Sequence, residues 1–166
     1  MASGEPKGLT GRWPRFEELV AQLPHLLDEL RACPPHFVGE RPTVPRVSGV
    51  YLFSEGGRPL YVGRTRDCHR RLADHTRPSS RENSAPFAFN LARRDLDDGG
   101  SRVTGTRAEL AAQLAFSQRF ATAKQRIRRM EFRFVAIGDP ALSTIFEVYA
   151  SIALGTEGDY NLFETH

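Results

Sequence analysis

Apolar residues at Phe16, Leu19, Val20, Leu23, Leu26, Leu27 and Leu30 recur every three or four positions, the spacing of one helical face. Pro24 falls inside that run, so the pattern predicts a kinked helix or two short ones. The residues before it are Gly, Pro and polar and predict a loose end. Four prolines between Cys33 and Val47 predict an extended linker packed on the domain. The pattern then shortens. Val47 to Phe53 reads as a strand, and Leu60 to Val62 as its hairpin partner. A three-residue loop of Glu55, Gly56 and Gly57 would set Tyr51 directly opposite Tyr61 on one face. A two-residue turn would set the two tyrosines on opposite faces.

Downstream, Asp67 suits the cap of a helix ending near Thr76. Ala85 to Leu96 is a second helical stretch, and Asp97 to Gly105 a polar loop. Thr106-x-x-Glu109 is a capping-box signature followed by about 24 helix-favouring residues. Leu110, Leu114, Phe120 and Ile127 are expected on the buried side of that helix. Arg119, Lys124, Arg126, Arg128 and Arg129 are expected on its exposed side and end. Glu131 to Ile137 alternates as a third strand. Asp139-Pro140 opens a helix to about Leu154, and Tyr160 to Phe163 reads as a short closing strand.

The chain has 166 residues, enough for one domain with a real core. No apolar run is long enough to span a bilayer, and the first residues lack an apolar signal core, so a cytoplasmic protein is expected. Cys33 and Cys68 form no metal-type pair and read as free thiols.

Net charge is only +3, but it is segregated. Arg58 to Arg94 holds nine arginines against Asp67, Asp74 and Glu82, and Arg102 to Arg133 holds eight basic residues against Glu109 and Glu131. The last 33 residues carry five acids and no Lys or Arg. Such segregation suits a polyanion. Arginines outnumber lysines 21 to 2, a bias that a GC-rich genome produces without selection.

Cleaving a phosphodiester needs a base for water, positive charge for the pentacovalent phosphorane, and neutralisation of the leaving oxygen. Arg71 and His75 lie four apart on one predicted helical face. Arg71 suits the charge. Tyr51, if cations lower its pKa, and His75 are the two candidates for the base. Glu147 on the last helix can hold one hard divalent cation completed by water and phosphate.

Gly49-Val50-Tyr51 and Tyr61-Val62-Gly63 resemble the paired signature of the GIY-YIG nuclease superfamily. Arg71, eight residues after Gly63, and His75, four further on, match the family's next positions. So do the basic Arg64, a late helical Glu147, and Tyr160-Asn161. The resemblance covers roughly residues 47 to 163. The nine-residue gap between the tripeptides is slightly short. It implies an α+β fold with a small, mainly antiparallel three-stranded sheet flanked by helices. Residues 47–166 would form the nuclease domain, with a helical insertion at about 85–130, and residues 1–46 a helical extension packed on it.

The implied function is a metal-dependent endonuclease hydrolysing DNA phosphodiester bonds, of restriction type. A repair or mobile-element structure-specific nuclease, or a catalytically silent nucleic-acid-binding module, are the alternatives. The resemblance gives catalytic roles to Tyr51, Tyr61, Arg64, Arg71, His75 and Asn161, and one Mg2+ or Mn2+ to Glu147. Arg66, Arg70, Arg119, Lys124, Arg126, Arg128 and Arg129 are the expected DNA contacts. A homodimer or partner protein would complete the footprint, and no membrane contact is expected.

Overall fold

The computed structural model describes residues 13–38, 44–100 and 104–161. Helix α1 (Pro14–Ala32) precedes the hairpin β1 (Gly49–Glu55) and β2 (Arg58–Thr65), followed by α2 (Cys68–Thr76) and α3 (Pro86–Asp98). Then come α4 (Arg107–Ala111), α5 (Leu114–Ile127), β3 (Glu131–Ala136) and α6 (Pro140–Ala153). The three strands form one antiparallel sheet in the order β2-β1-β3. The fold is therefore α+β, as the sequence pattern predicts.

Alternation along the strands gives the sheet two apolar faces. Val50, Leu52, Val62 and Val135 pack against Leu19, Leu23, Leu27 and Leu30 of α1 and Leu142, Phe146 and Ala150 of α6. Tyr51, Phe53 and Phe132 face the other way, into Leu72 of α2, Phe87 and Leu91 of α3, and Phe116 and Ile127 of α5. Both faces of β1 are closed, so it lies at the centre of the molecule.

Helix α1 runs unbroken past Pro24 rather than dividing there. Pro24 is exposed, so the carbonyl deprived of its helical partner can be met by water. The end of α1 meets the sheet through Arg133, whose Nε donates to the Cys33 carbonyl at 3.0 Å. His36 pairs with Phe132 beyond β3's edge, and Val44 is buried in the core. Cys33 and Cys68 are both free. Of the closing strand expected at 160–163, an isolated Glu157–Asn161 bridge lies among the described residues, and 162–163 lie outside them.

The hairpin settles the register that the sequence leaves open. Glu55 pairs with Arg58, so the turn has two residues, Gly56 and Gly57, with φ of 58° and 79°. Both values lie in the region that favours glycine, as a type I′ turn requires. Such a turn alone would separate the tyrosines. The ladder then shifts: Ser54 faces Pro59, but Phe53 faces Tyr61, leaving Leu60 as an extra residue in a bulge. The bulge restores parity. Tyr51 and Tyr61 share a face as diagonal neighbours, with ring centroids 6.2 Å apart.

The long helix expected after Thr106 is divided. The capping box is present, with Glu109 Oε2 accepting from the Thr106 amide at 2.7 Å. The helix nevertheless stops at Ala111 and restarts at Leu114. Leu110 and Phe116 are both fully buried. On one continuous helix, six residues apart, they would point roughly 120° away from each other. The break lets both enter the core. It also leaves Leu114, expected to be buried, 74% exposed.

Lys124 departs from expectation in the opposite sense. It is buried, and its Nζ donates to the carbonyls of Pro78 (2.6 Å) and Ser80 (3.0 Å) while lying 4.5 Å from the Phe120 ring centroid. Burial lowers its pKa. It ties the α2–α3 connection to α5 and does not face solvent.

Candidate functional site

The site forms along the free edge of β2. An edge strand presents outward N–H and C=O groups that need partners. Here they come from side chains distant in sequence. Asn161 Oδ1 accepts from the Val62 amide at 2.9 Å, and its Nδ2 donates to the Val62 carbonyl. Two residues along, the Arg64 amide donates to Glu147 Oε1 at 3.1 Å. Asn161 thus stands in for a neighbouring strand, and Glu147 is anchored to the same edge. Asp139 sets the start of α6 by accepting from the amides of Ala141 and Leu142. Glu147 lies two turns further on.

The second Glu147 oxygen, Oε2, accepts from Arg64 Nε at 3.0 Å. The Arg64 side chain is about half exposed and the Glu147 side chain 21% exposed. Burial raises the Glu147 pKa despite the opposing arginine. A carboxylate is a hard oxygen ligand for a divalent ion, and here its Oε2 is taken by Arg64. Each carboxylate oxygen has two lone-pair positions, so Oε1 can keep the Arg64 amide and still accept another partner. The Arg64 guanidinium would have to leave Oε2, which its exposed arm permits. Among the described residues no three His, Cys, Asp or Glu side chains converge. An ion at Glu147 would therefore take its other ligands from water and substrate.

Tyr51 and His75 meet behind this edge. Tyr51 Oη and His75 Nε2 are 2.9 Å apart. Both are buried, and His75 Nδ1 has no partner among the described residues. Tyr51, Phe53, Tyr61 and Phe87 surround the imidazole, with ring centroids 5.3 to 6.4 Å away. Burial, aided by Arg71, pushes the His75 pKa down to about 3. Burial pushes Tyr51 well above the ordinary phenol range. Neither candidate base is open to solvent: Tyr51 is 1% exposed and His75 0%.

Tyr61 does reach a cleft. Its ring stacks on Phe87 at 4.7 Å, and burial followed by the Glu147 charge raises its pKa to about 12. Arg71 extends from α2 into the same region. Its Nη1 donates to the Ser84 carbonyl at 3.4 Å, and its buried Nε has no partner among the described residues.

The two glycines have steric reasons. A Cβ at Gly63 would collide with the Tyr51 phenol, and one at Gly49 with the Val135 carbonyl. Glycine at these places lets β1 sit between its neighbours with Tyr51 laid across β2.

Two clefts meet at the Arg64–Glu147 pair. The first, about 690 Å³, is walled by Arg64, Arg66, Arg70 and Arg71, with Asp67 and Asp74 among them, opposite the start of α6 at Gly138, Pro140 and Ser143. The second, about 820 Å³, opens from Tyr61 and Glu147 toward α3 and α4. Asn83 borders both. Of the expected DNA contacts, Arg66 and Arg70 line the first cleft. Arg70 also approaches Asp74 at 3.8 Å. Arg119, Arg128 and Arg129 are exposed elsewhere. Arg126 is held by both oxygens of Glu55, at 2.9 and 2.6 Å, and Lys124 is internal. Arg93 and Arg107 line the second cleft and were not among the expected contacts. The capping box beside Arg107 was the available local signal. No helix among the described residues is long and apolar enough to cross a membrane. Comparison with protein-family models, with curated proteins and with solved structures gives no match.

Proposed function

We propose that this chain is a divalent-metal-dependent endonuclease acting on DNA, in the manner of the GIY-YIG nucleases its sequence resembles. One observation carries the reading: a phenol, two arginines and one carboxylate converge where an arginine-walled cleft meets a second cleft. The first cleft would take the phosphate backbone. Arg71 forks onto the scissile phosphate and stabilises the phosphorane. Arg64 exchanges Glu147 for a phosphate oxygen as substrate enters. Glu147 would hold Mg2+ or Mn2+, which when bound supplies Lewis-acid charge and a more acidic water.

The base is reassigned. Tyr51 and His75, the two expected candidates, are sealed in the core. Tyr61 is the phenol at the cleft, and it takes the proton of the attacking water once added positive charge offsets the burial and the Glu147 charge that hold its pKa at about 12. Tyr51 and His75 brace it from behind, and Asn161 fixes the β2 edge on which it rides.

Cleavage of labelled duplex and single-stranded DNA in Mg2+, with EDTA as control, tests the reading. Metal-dependent internal cuts support it. Tight binding without cuts leaves the silent binding module in its place.

A further inference from the structure

The second cleft differs in chemistry from the first. Its wall carries flat groups and amides in place of a row of arginines. The Arg107 guanidinium lies 4.4 Å from the Phe89 ring centroid and is tethered by Nη1 to the Glu82 carbonyl at 3.1 Å. Tyr160 stands on the edge of Phe87 with Arg94 above its ring at 5.2 Å. Asn83 adds a side-chain amide, Asn90 adds a side-chain oxygen while its Nδ2 donates to the Tyr160 carbonyl at 2.8 Å, and Arg93 adds a cation. Glu147, at the mouth, is the one acid in the lining among the described residues.

A volume of about 820 Å³ falls in the range of small-ligand pockets, roughly 300–1,000 Å³, and admits a nucleotide but no duplex. Planar guanidinium and phenol faces stack on bases, and amides read their edges. An apolar ligand would bury the exposed Arg93 cation against nothing that accepts from it. The mouth of the cleft is Tyr61 and Glu147, so a base seated inside lies next to the phosphate they would act on.

We infer that the cleft between α3 and α4 is a subsite for one unpaired DNA base beside the scissile phosphate, so that the enzyme selects strands with an extruded or single-stranded nucleotide. This rests on the nuclease reading for the position of the phosphate. Base stacking is worth about 1–3 kcal/mol per base, so the seated base should tighten binding roughly tenfold.

The test is binding in EDTA, followed by anisotropy. The probes are a plain duplex, a duplex with one bulged 2-aminopurine, and the same duplex with an abasic analogue at the bulge. The base-bearing bulge should bind about tenfold tighter than the abasic one, with a change in 2-aminopurine emission. Ala108→Trp, at an exposed position on the cleft wall, should fill the space and remove that advantage while keeping affinity for the abasic duplex. Arg93→Ala, also exposed, should reduce the advantage without filling the cleft. Equal affinity for the two bulges, or an advantage that survives Ala108→Trp, overturns the subsite. So does a free deoxynucleoside monophosphate binding as tightly as the bulge, which would make the ligand a free nucleotide. Cleavage of the same probes in Mg2+ is scored separately. No cleavage with the base advantage intact defeats the nuclease reading and leaves the subsite. Cleavage without base preference does the reverse.

Discussion

Tyr51 stands across the hairpin from Gly63, and a side chain at 63 would run into its phenol. The hydroxyl that meets His75 is therefore aimed partly by the absence of a Cβ on the next strand. Gly63→Ala should lower stability by roughly 1–3 kcal/mol, the usual cost of overpacking. It should also separate the Tyr51–His75 pair, which NMR would read as a change in the His75 imidazole chemical shifts. Gly56→Ala, in the open turn with φ of 58°, should cost about 1–2 kcal/mol through backbone strain alone and leave the His75 imidazole shifts unchanged.

His75 makes stability depend on pH in a definite direction. Its folded pKa is about 3, and its unfolded value is the ordinary one near 6.5. Between those values the unfolded chain binds a proton that the folded chain refuses. Stability is full above pH 6.5, falls as pH drops toward 3, and stops falling from this source below that. The slope approaches about 1.4 kcal/mol per pH unit. Urea unfolding from pH 6.5 to 4.5 should show a steeper slope for the parent than for His75→Asn. Equal slopes would mean that the folded imidazole titrates normally.

The base assignment separates two phenylalanine variants. Tyr61→Phe should lower the cleavage rate by about 10² to 10⁴ with DNA binding retained. The parent rate should keep rising above pH 8, since the Tyr61 pKa is raised, and should show no step near pH 6 to 7 from His75. Tyr51→Phe should instead leave His75 Nε2 without its partner and cost about 1–3 kcal/mol in stability, with the smaller loss of rate. A Tyr51→Phe enzyme that folds normally and does not cut would return the base to Tyr51.

Much of this was legible in local pattern, and the failures have one cause. Asp67, Asp139 and the Thr106–Glu109 box cap helices by contacts within three residues, so sequence spacing is enough to find them. Tyr51 and Tyr61 share a face only because a bulge at Leu60 compensates a two-residue turn, and nothing in the run from Pro59 to Val62 marks the bulge. Lys124 reads as a surface residue until the loop at 78–80 supplies carbonyls from 44 and 46 residues away. The Asn161 clamp on Val62 spans 99 residues and was visible only as a resemblance. Tertiary partners decided each of these positions, and no local signal encodes them.

The basic surface divides into groups of unequal value for DNA. Arg66 and Arg70 line the first cleft, whereas Arg126 is already paired with Glu55. Arg66→Ala and Arg70→Ala should each weaken binding to all sequences and reduce the salt slope by about 1. Arg126→Ala should change the slope less, because its charge is spent within the fold. Lys124→Met should unfold the protein more easily, by about 1–3 kcal/mol, since two carbonyls lose their donor. A larger loss of DNA affinity from Arg126→Ala than from Arg66→Ala would move the footprint to α5.

Glu147 gives the sharpest separation of stability from activity. Its carboxyl has a raised folded pKa because burial outweighs Arg64. The folded state therefore holds its proton to higher pH than the unfolded state. This group lowers stability as pH rises from about 4.5 through its folded pKa, and leaves the protein less stable at neutral pH. Glu147→Gln removes that loss. It keeps an oxygen for the Arg64 amide while ending the ion pair, so the apo protein should melt within about 1 kcal/mol of the parent. Metal-free DNA binding should hold or tighten, as one negative charge beside the phosphate is gone and Arg64 is released. Cleavage in Mg2+ should fall by several orders of magnitude, since charge stabilisation and water activation are lost together. Parent-level cutting by Glu147→Gln would place the metal elsewhere and leave the carboxylate as an anchor for the β2 edge.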